Sequence, residues 1–174
     1  KVYIDYTGKK LNYVDKTTGE LIEVEVFVGI LPCSGYTFVE ASPSQKREDF
    51  IGSMNSCLRY FGGVPKAIVP DNLKSAVTKG SKYEPILNKS FKDFALHYGT
   101  VINPTRTYSP QDKALVEGAV KILYQRIYPT LRGKTFHELK DLNKAIWEAL
   151  EIHNHKKLTG RPTSRFQLFN EVEK

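Results

Sequence analysis

The sequence predicts an α/β domain with its strands leading, on three observations. Residues 2–6 alternate in the period-two manner of a strand, with Val2, Ile4 and Tyr6 on one side and Tyr3 and Asp5 on the other. Phe50, Met54, Cys57, Leu58 and Phe61 recur at helical spacing. The elements up to residue 103 follow the order βββαβαβ, and helical segments close the chain. With 174 residues and 40% hydrophobic content the chain can build one core, so residues 1–174 are expected to form a single domain. No apolar run approaches the ~18 residues that span a bilayer, which excludes a transmembrane helix, and no membrane partner is expected.

Residues 11–14 and 21–31 are rich in β-branched and aromatic side chains, and Thr17, Thr18 and Gly19 between them supply the turn of a hairpin. Ser42 or Ser44 is the expected cap of a helix running to Phe61, stopped by Gly62 and Gly63. Residues 67–69 read as a short buried strand ended by Pro70, and residues 71–77 as a short helix capped by Asp71. A helix over 91–98 and a strand over 100–103 follow. Ser109 and Pro110 open a helix expected to end at Tyr128, before Pro129. A second long helix is expected over 136–153, and a short one within 160–169.

The charge is lopsided. Residues 1–73 hold eight basic and nine acidic side chains, while residues 74–174 hold 18 and ten, so the net +7 resides in the second half. A one-sided basic surface suits a polyanion such as nucleic acid, or is simply a solvated basic face. Cys33 and Cys57 are too few for a disulfide scaffold or a cysteine-rich zinc site and fit a reducing cytosol. Phosphate-cradling glycine loops and the G-x-S-x-G nucleophile elbow are absent. His153 and His155, two apart with no third ligand nearby, suit a surface or DNA-contact role better than a metal site.

Three carboxylates draw attention together. Asp5 lies inside a strand, where an ionised group needs a cation or hydrogen bonds unless its face is exposed. Asp71 follows a buried strand, and its plain explanation is an N-cap. Glu117 lies mid-helix, where a glutamate is ordinarily just solvated. If the strands bearing the first two are parallel neighbours, Asp5 and Asp71 converge near their carboxyl ends, and a helix laid across that edge brings Glu117 to the same place. Such oxygen ligands suit Mg²⁺, two of which can clamp a phosphodiester during in-line displacement.

The segments VYIDYTGKKL, VPDNLKSAV and DKALVEGAVK around these residues resemble the ribonuclease H-like catalytic core of retroviral integrases and DDE transposases, and most closely the transposase subunit of the IstA/IstB class of bacterial insertion sequences. The resemblance runs over residues 2–169. It implies a mixed five-stranded sheet flanked by helices, with order 3-2-1-4-5 and strand 2 antiparallel. It further implies a DDE-type polynucleotidyl transferase with Asp5, Asp71 and Glu117 as catalytic residues and ligands of two Mg²⁺ or Mn²⁺ ions. Transposon-end and target DNA, an IstB-like AAA+ ATPase helper, a multimer on paired ends and a bacterial, nucleoid-associated cytoplasmic location are implied as well. So are helix-turn-helix domains upstream, which would make this chain a fragment of a longer transposase. A ribonuclease H-like nuclease that only hydrolyses, or an inactive DNA-binding scaffold, are the alternatives. Forty-five residues separate Asp71 from Glu117, more than is typical of retroviral integrases, so a surface excursion is expected near 79–89.

Lys113, Glu117, Lys121, Tyr124 and Tyr128 fall on one face of their helix, beside an apolar stripe of Val116, Val120, Leu123 and Ile127 expected to pack on the sheet. Basic residues one turn either side of Glu117 would meet DNA phosphates, or would form ordinary i,i+4 ion pairs with it. Lys121 matches a position that contacts DNA ends in related integrases. Lys113, Lys121 and Tyr124, with Asn72 and Lys74 of the second motif, are the expected DNA contacts. Gly118, unfavourable in a helix interior, suggests that something passes close by.

Overall fold

The computed structural model describes residues 1–71, 77–80, 85–103 and 110–174. Among these, six strands form one sheet: β1 (Val2–Tyr6), β2 (Leu11–Val14), β3 (Leu21–Ile30), β4 (Thr37–Ser42), β5 (Ala67–Pro70) and β8 (Val101–Ile102). The central strand is β1, antiparallel to β3 with Asp5 opposite Val28, and parallel to β5 with Ile4 opposite Pro70. β8 extends the parallel side and β4 pairs antiparallel on the far side of β3. Across the sheet the order is β4-β3-β1-β5-β8, the expected five-strand arrangement with its second strand antiparallel.

The segments filling those places differ from expectation at one edge. β2 does not occupy a place of its own in that order; past Thr7, whose N–H bonds the carbonyl of Val26, it pairs with the outer half of β3, Leu11 opposite Val24. The edge place goes to β4, which the sequence pattern does not reveal: Thr37, Val39 and Ala41 alternate with Phe38, Glu40 and Ser42, and both sets are largely buried, so period-two polarity is blurred.

Two layers of helices sandwich this sheet. α1 (Arg47–Phe61) and α2 (Lys89–Tyr98) pack on Val2, Ile4 and Tyr6, while α3 (Pro110–Ile122), the segment that follows it and α5 (Leu139–His155) pack around Tyr3, Val26, Val28 and Val69. α1 starts later than expected, at Arg47, and Ser44 accepts the Lys46 N–H just ahead of it. Gly62 ends it in the left-handed region at φ 69°, which glycine tolerates without a Cβ penalty. α6 (Arg165–Val172) starts at a capping box of Ser164 and Gln167. In the segment expected to be a surface excursion, β6 (Val77–Gly80) and β7 (Pro85–Leu87) form a two-stranded antiparallel ribbon. Val77 is therefore strand rather than the end of a helix, and residues 72–76 lie outside the described residues.

The helix bearing Glu117 runs on beyond its expected end. A π-helical turn at Leu123–Ile127 follows α3 and leads into α4 (Tyr128–Leu131), with the Tyr128 N–H bonded five residues back to Leu123. Pro129 has no N–H to continue an i→i−4 ladder, and the wider turn ahead of it accommodates the ring at the start of α4. The extra residue turns the later side chains, so Tyr128 is buried rather than aligned with Lys121.

The outer edge of β4 is sealed by side chains of α5. Asn143 accepts the Ala41 N–H at 2.7 Å and donates to the Ala41 carbonyl at 2.9 Å. Asn154 makes the same two bonds with Thr37, and the Trp147 indole N–H donates to the Val39 carbonyl at 2.9 Å. Replacing Asn143 by Leu keeps the volume and strands both backbone groups of Ala41 in a dry place. Chemical denaturation is expected to show a loss of ~3 kcal/mol, against ~1 kcal/mol for Trp147→Phe, which removes one bond at a wetter position.

Candidate active site

The site grows from the two central parallel strands. β1 places Val2 and Ile4 fully in the core and leaves Asp5 half-buried on the Tyr3 side of the sheet, the side covered by α3. β5 ends in Pro70, opposite Ile4, and the Asp71 N–H then bonds the Ile4 carbonyl at 3.2 Å. That last rung sets Asp71 beside Asp5 at the carboxyl ends of both strands. Asp5 Oδ1 accepts the Tyr6 N–H at 2.8 Å.

Burial pushes the Asp5 carboxyl up to about 6; the Tyr6 N–H works against this and the negative charge of Asp71 adds to it. A half-buried carboxylate with a second one at the end of the neighbouring strand is a fitting environment for a hard divalent cation, which would offset the cost of burying the charge. The parallel pairing on which their expected convergence depends is present, with Asp71 one position past the rung opposite Ile4.

Glu117 stands apart from them. It lies on α3, which packs on β1 and β3 through Val116 and Ala119, but its side chain is 66% exposed and 3.8 Å from the Lys113 ammonium. Among the described residues, no three Asp, Glu, His or Cys side chains cluster at metal-binding spacing. Lys121 is exposed on the same helix. A Cβ at Gly118 would meet nothing within 4 Å, so no part of the described chain requires glycine there. The apolar stripe packs as expected through Val116, Leu123 and Ile127, with Val120 half-buried.

Tyr124 is not on an open face. It is half-buried, its hydroxyl accepts the Lys9 N–H at 3.1 Å, and its ring meets Tyr128 edge-on. Tyr128 donates to the Lys9 carbonyl at 2.7 Å and shares a 3.0 Å hydrogen bond with Thr7. The two tyrosines clasp the turn that follows β1 and so tie the Glu117 helix to the Asp5 strand. Their spacing of four residues is the only signal of this in the sequence, where it suggests a DNA-facing pair instead. Asn72 and Lys74 lie outside the described residues. His153 is not at the surface: it is 3% exposed, and burial, with Arg165, Arg126 and Lys156 nearby, drives its pKa down to about 3, so the ring is neutral. His155 is exposed and bonds back to Glu151.

This sheet order, with two aspartates at the ends of adjacent parallel strands and a helix crossing beside them, defines an integrase-type, ribonuclease H-like core. The catalytic core domain of HTLV-2 integrase, solved in complex with magnesium, superposes with a TM-score of 0.67 over 96% of this chain and 93% of that one at 18% identity, a likeness of fold. The chain matches no protein-family model. A Sinorhizobium fredii protein named as a transposase is 44% identical over 98% of this chain and 33% of its own length. The Pseudomonas aeruginosa transposase of insertion sequence element IS21 is 28% identical over 90% of this chain and 40% of its own length. The chain belongs to this family of bacterial insertion-sequence transposases, and spans about a third of the length of such relatives.

The raised Asp5 pKa has a thermodynamic consequence. Between about 4 and 6 the folded state holds a proton that the unfolded chain releases, so this group's contribution to stability falls as pH rises through that window and stays unfavourable above it. Asp5→Asn is therefore expected to raise stability at pH 7.5 by ~1–2 kcal/mol, allowing for water that reaches the pair, and to change little at pH 4. Thermal unfolding at both pH values, without divalent cations, checks it.

Proposed function

We propose that this chain is the catalytic core of a DNA transposase, a DDE-type polynucleotidyl transferase that cleaves phosphodiesters at element ends and transfers the freed 3'-hydroxyl into target DNA. The observation that carries the reading is the placing of Asp5 and Asp71 at neighbouring parallel strand ends, where burial, with a smaller push from the charge of Asp71, raises the Asp5 carboxyl to about 6. Family membership supports it.

Asp5, Asp71 and Glu117 would hold Mg²⁺ or Mn²⁺, with two ions in the active complex. Bound there, the cations supply Lewis-acid polarisation of the phosphate and a lowered pKa for the attacking hydroxyl or water. Glu117 joins by turning its exposed side chain away from Lys113, and an i,i+4 pair worth ~0.2–0.5 kcal/mol does not hold it back. Lys113 and Lys121 then meet phosphates on either side of the reacting bond, with Asn72 and Lys74 of the second motif as further DNA contacts. The open space at Gly118 leaves room for a sugar-phosphate backbone to approach α3. Tyr124 acts through the Lys9 turn, as a positioning residue.

The same reading makes the chain one domain of a longer bacterial protein, acting in the cytoplasm at the nucleoid. Its partners are transposon-end and target DNA, further copies of itself on paired ends, and an IstB-like AAA+ ATPase.

The test is joining of a labelled 3'-hydroxyl duplex end to plasmid DNA in Mg²⁺. Weak cleavage and joining without preference for end sequence are expected of this chain alone, and Asp5→Asn, Asp71→Asn and Glu117→Gln should each take both below detection with circular dichroism unchanged. Hydrolysis without joining would identify a nuclease, and DNA binding without either step a scaffold.

A second expectation concerns the lysines. Lys113→Ala and Lys121→Ala should each weaken duplex binding regardless of sequence and lower the salt slope by ~0.9 per phosphate no longer neutralised, while stability moves by no more than a few tenths of a kcal/mol. Filter binding across a salt series and thermal unfolding together decide it; unchanged binding with lower stability would make the lysines a structural ion-pair ladder.

A further inference from the structure

Away from the aspartates, the loop between α5 and α6 encloses a cleft of about 380 Å³ lined by Arg126, Lys157, Leu158, Thr159, Arg161 and Arg165. Four of the six carry positive charge and none is acidic. The loop is well tied: Gly160 turns it at φ 74°, the Leu158 N–H bonds the Thr163 carbonyl at 3.0 Å, the Arg161 N–H bonds the Leu158 carbonyl at 3.1 Å, and Lys157 bridges to Ser164.

Arg165 is the unusual member. It is 9% exposed, packs against Gly35, and its Nη1 is buried without a hydrogen-bond partner. Among the described residues none of the four cations has a carboxylate partner. Arg126 instead lies with its Nη1 3.5 Å from Nδ1 of His153, whose ring is neutral and can accept. Burial and the nearby Arg126 also depress the Arg165 pKa. Guanidinium groups gathered this way repel one another and leave a buried donor unsatisfied, an arrangement that a phosphate dianion or diester relieves through forked, charge-assisted bonds.

We infer that the Arg126–Arg161–Arg165–Lys157 cleft is a phosphate site that grips a backbone phosphodiester of DNA away from the reacting bond. The inference rests on the reading of the chain as a DNA-acting core. It adds a contact that the α3 lysines do not supply, because Arg126 leaves the helix in the π turn, beyond Lys121. Thr159 supplies a neutral hydroxyl donor at the rim, as phosphate sites commonly use.

The test uses this chain, a fluorescent 20-base-pair duplex and, separately, inorganic phosphate, all in EDTA so that cation chemistry is silent. For Lys157→Ala/Arg161→Ala, both at the exposed rim, duplex affinity at 0.1 M salt is expected to drop about tenfold and the salt slope to fall by ~0.9 for each phosphate no longer neutralised. Millimolar inorganic phosphate should compete with duplex for the unsubstituted chain and shift the NMR resonances of Arg165 and His153, and do neither in the double variant. Arg165→Lys, which keeps the charge but loses the fork, should also weaken the duplex; its melting curve reports whether it folds. Unchanged duplex affinity and slope in the double variant overturn the inference, as does inorganic phosphate binding in the cleft without competing with DNA. Asp5→Asn separates the two readings. If it binds duplex through the cleft while the weak Mg²⁺-dependent cleavage of the unsubstituted chain survives the substitution, the catalytic reading alone fails; if that cleavage is lost but the double variant binds normally, the cleft alone fails.

Discussion

Everything in the candidate site depends on one backbone hydrogen bond, from the Asp71 N–H to the Ile4 carbonyl, which closes the parallel pairing of β1 with β5. Parallel strands bring their carboxyl ends to the same side, so the residues just past the pairing become neighbours although 65 residues separate Asp5 from Asp71 in the chain. The surrounding core fixes this register. Val2, Ile4 and Ile68 are fully buried and Val69 nearly so; sliding β1 by one residue would move Val2 and Ile4 out of the cluster they fill beside α1 and turn Asp5 into that apolar side of the sheet. Apolar packing thus holds the Asp5 carboxyl where burial first, and the charge of Asp71 to a smaller degree, disfavour its ionised form.

The helix opposite obeys a different constraint. α3 is anchored by Val116 and Ala119 against the sheet and by Tyr124 and Tyr128 against the turn at Lys9, leaving Glu117, Lys113 and Lys121 on its solvent side. The half of the site on β1 and β5 is built by the core, while the half on α3 is a side chain free to rotate. That part of the sheet is rigid because β1 and β5 are each bonded on both sides; among the described residues the exposed Glu117 has a weak pairing with Lys113 to orient it.

This division also explains what is legible in the amino-acid sequence. Asp5 stands out because an acidic residue interrupts an otherwise apolar strand, and Asp71 because a proline ends a short apolar run just before it; both are local patterns with a physical cause. The sheet order comes from the family likeness, and pairing bears it out. β4 is hidden because both of its faces are largely covered, erasing the alternation that marks a half-exposed strand. The π turn is hidden because a proline normally argues for a stop, and only the longer Tyr128-to-Leu123 bond lets the helix continue. The burial of His153 on α5 and the contacts of Tyr124 with the Lys9 turn are tertiary facts that no local pattern announces, and a helical wheel drawn with a constant 3.6-residue period misplaces Tyr128 once an extra residue enters the turn.

The amide ladder on β4 has one more consequence, for how such molecules can gather. A bare sheet edge is an invitation to lengthen the sheet with a strand from a neighbour. Here Asn143, Trp147 and Asn154 occupy the outward-facing groups of Thr37, Val39 and Ala41 and imitate that neighbour from within the same chain. Copies brought together along that side would meet the flank of a helix instead of an open backbone, so association there must proceed through side-chain surfaces, whose shape and charge can be specific, rather than through the indiscriminate zipper of main-chain hydrogen bonds.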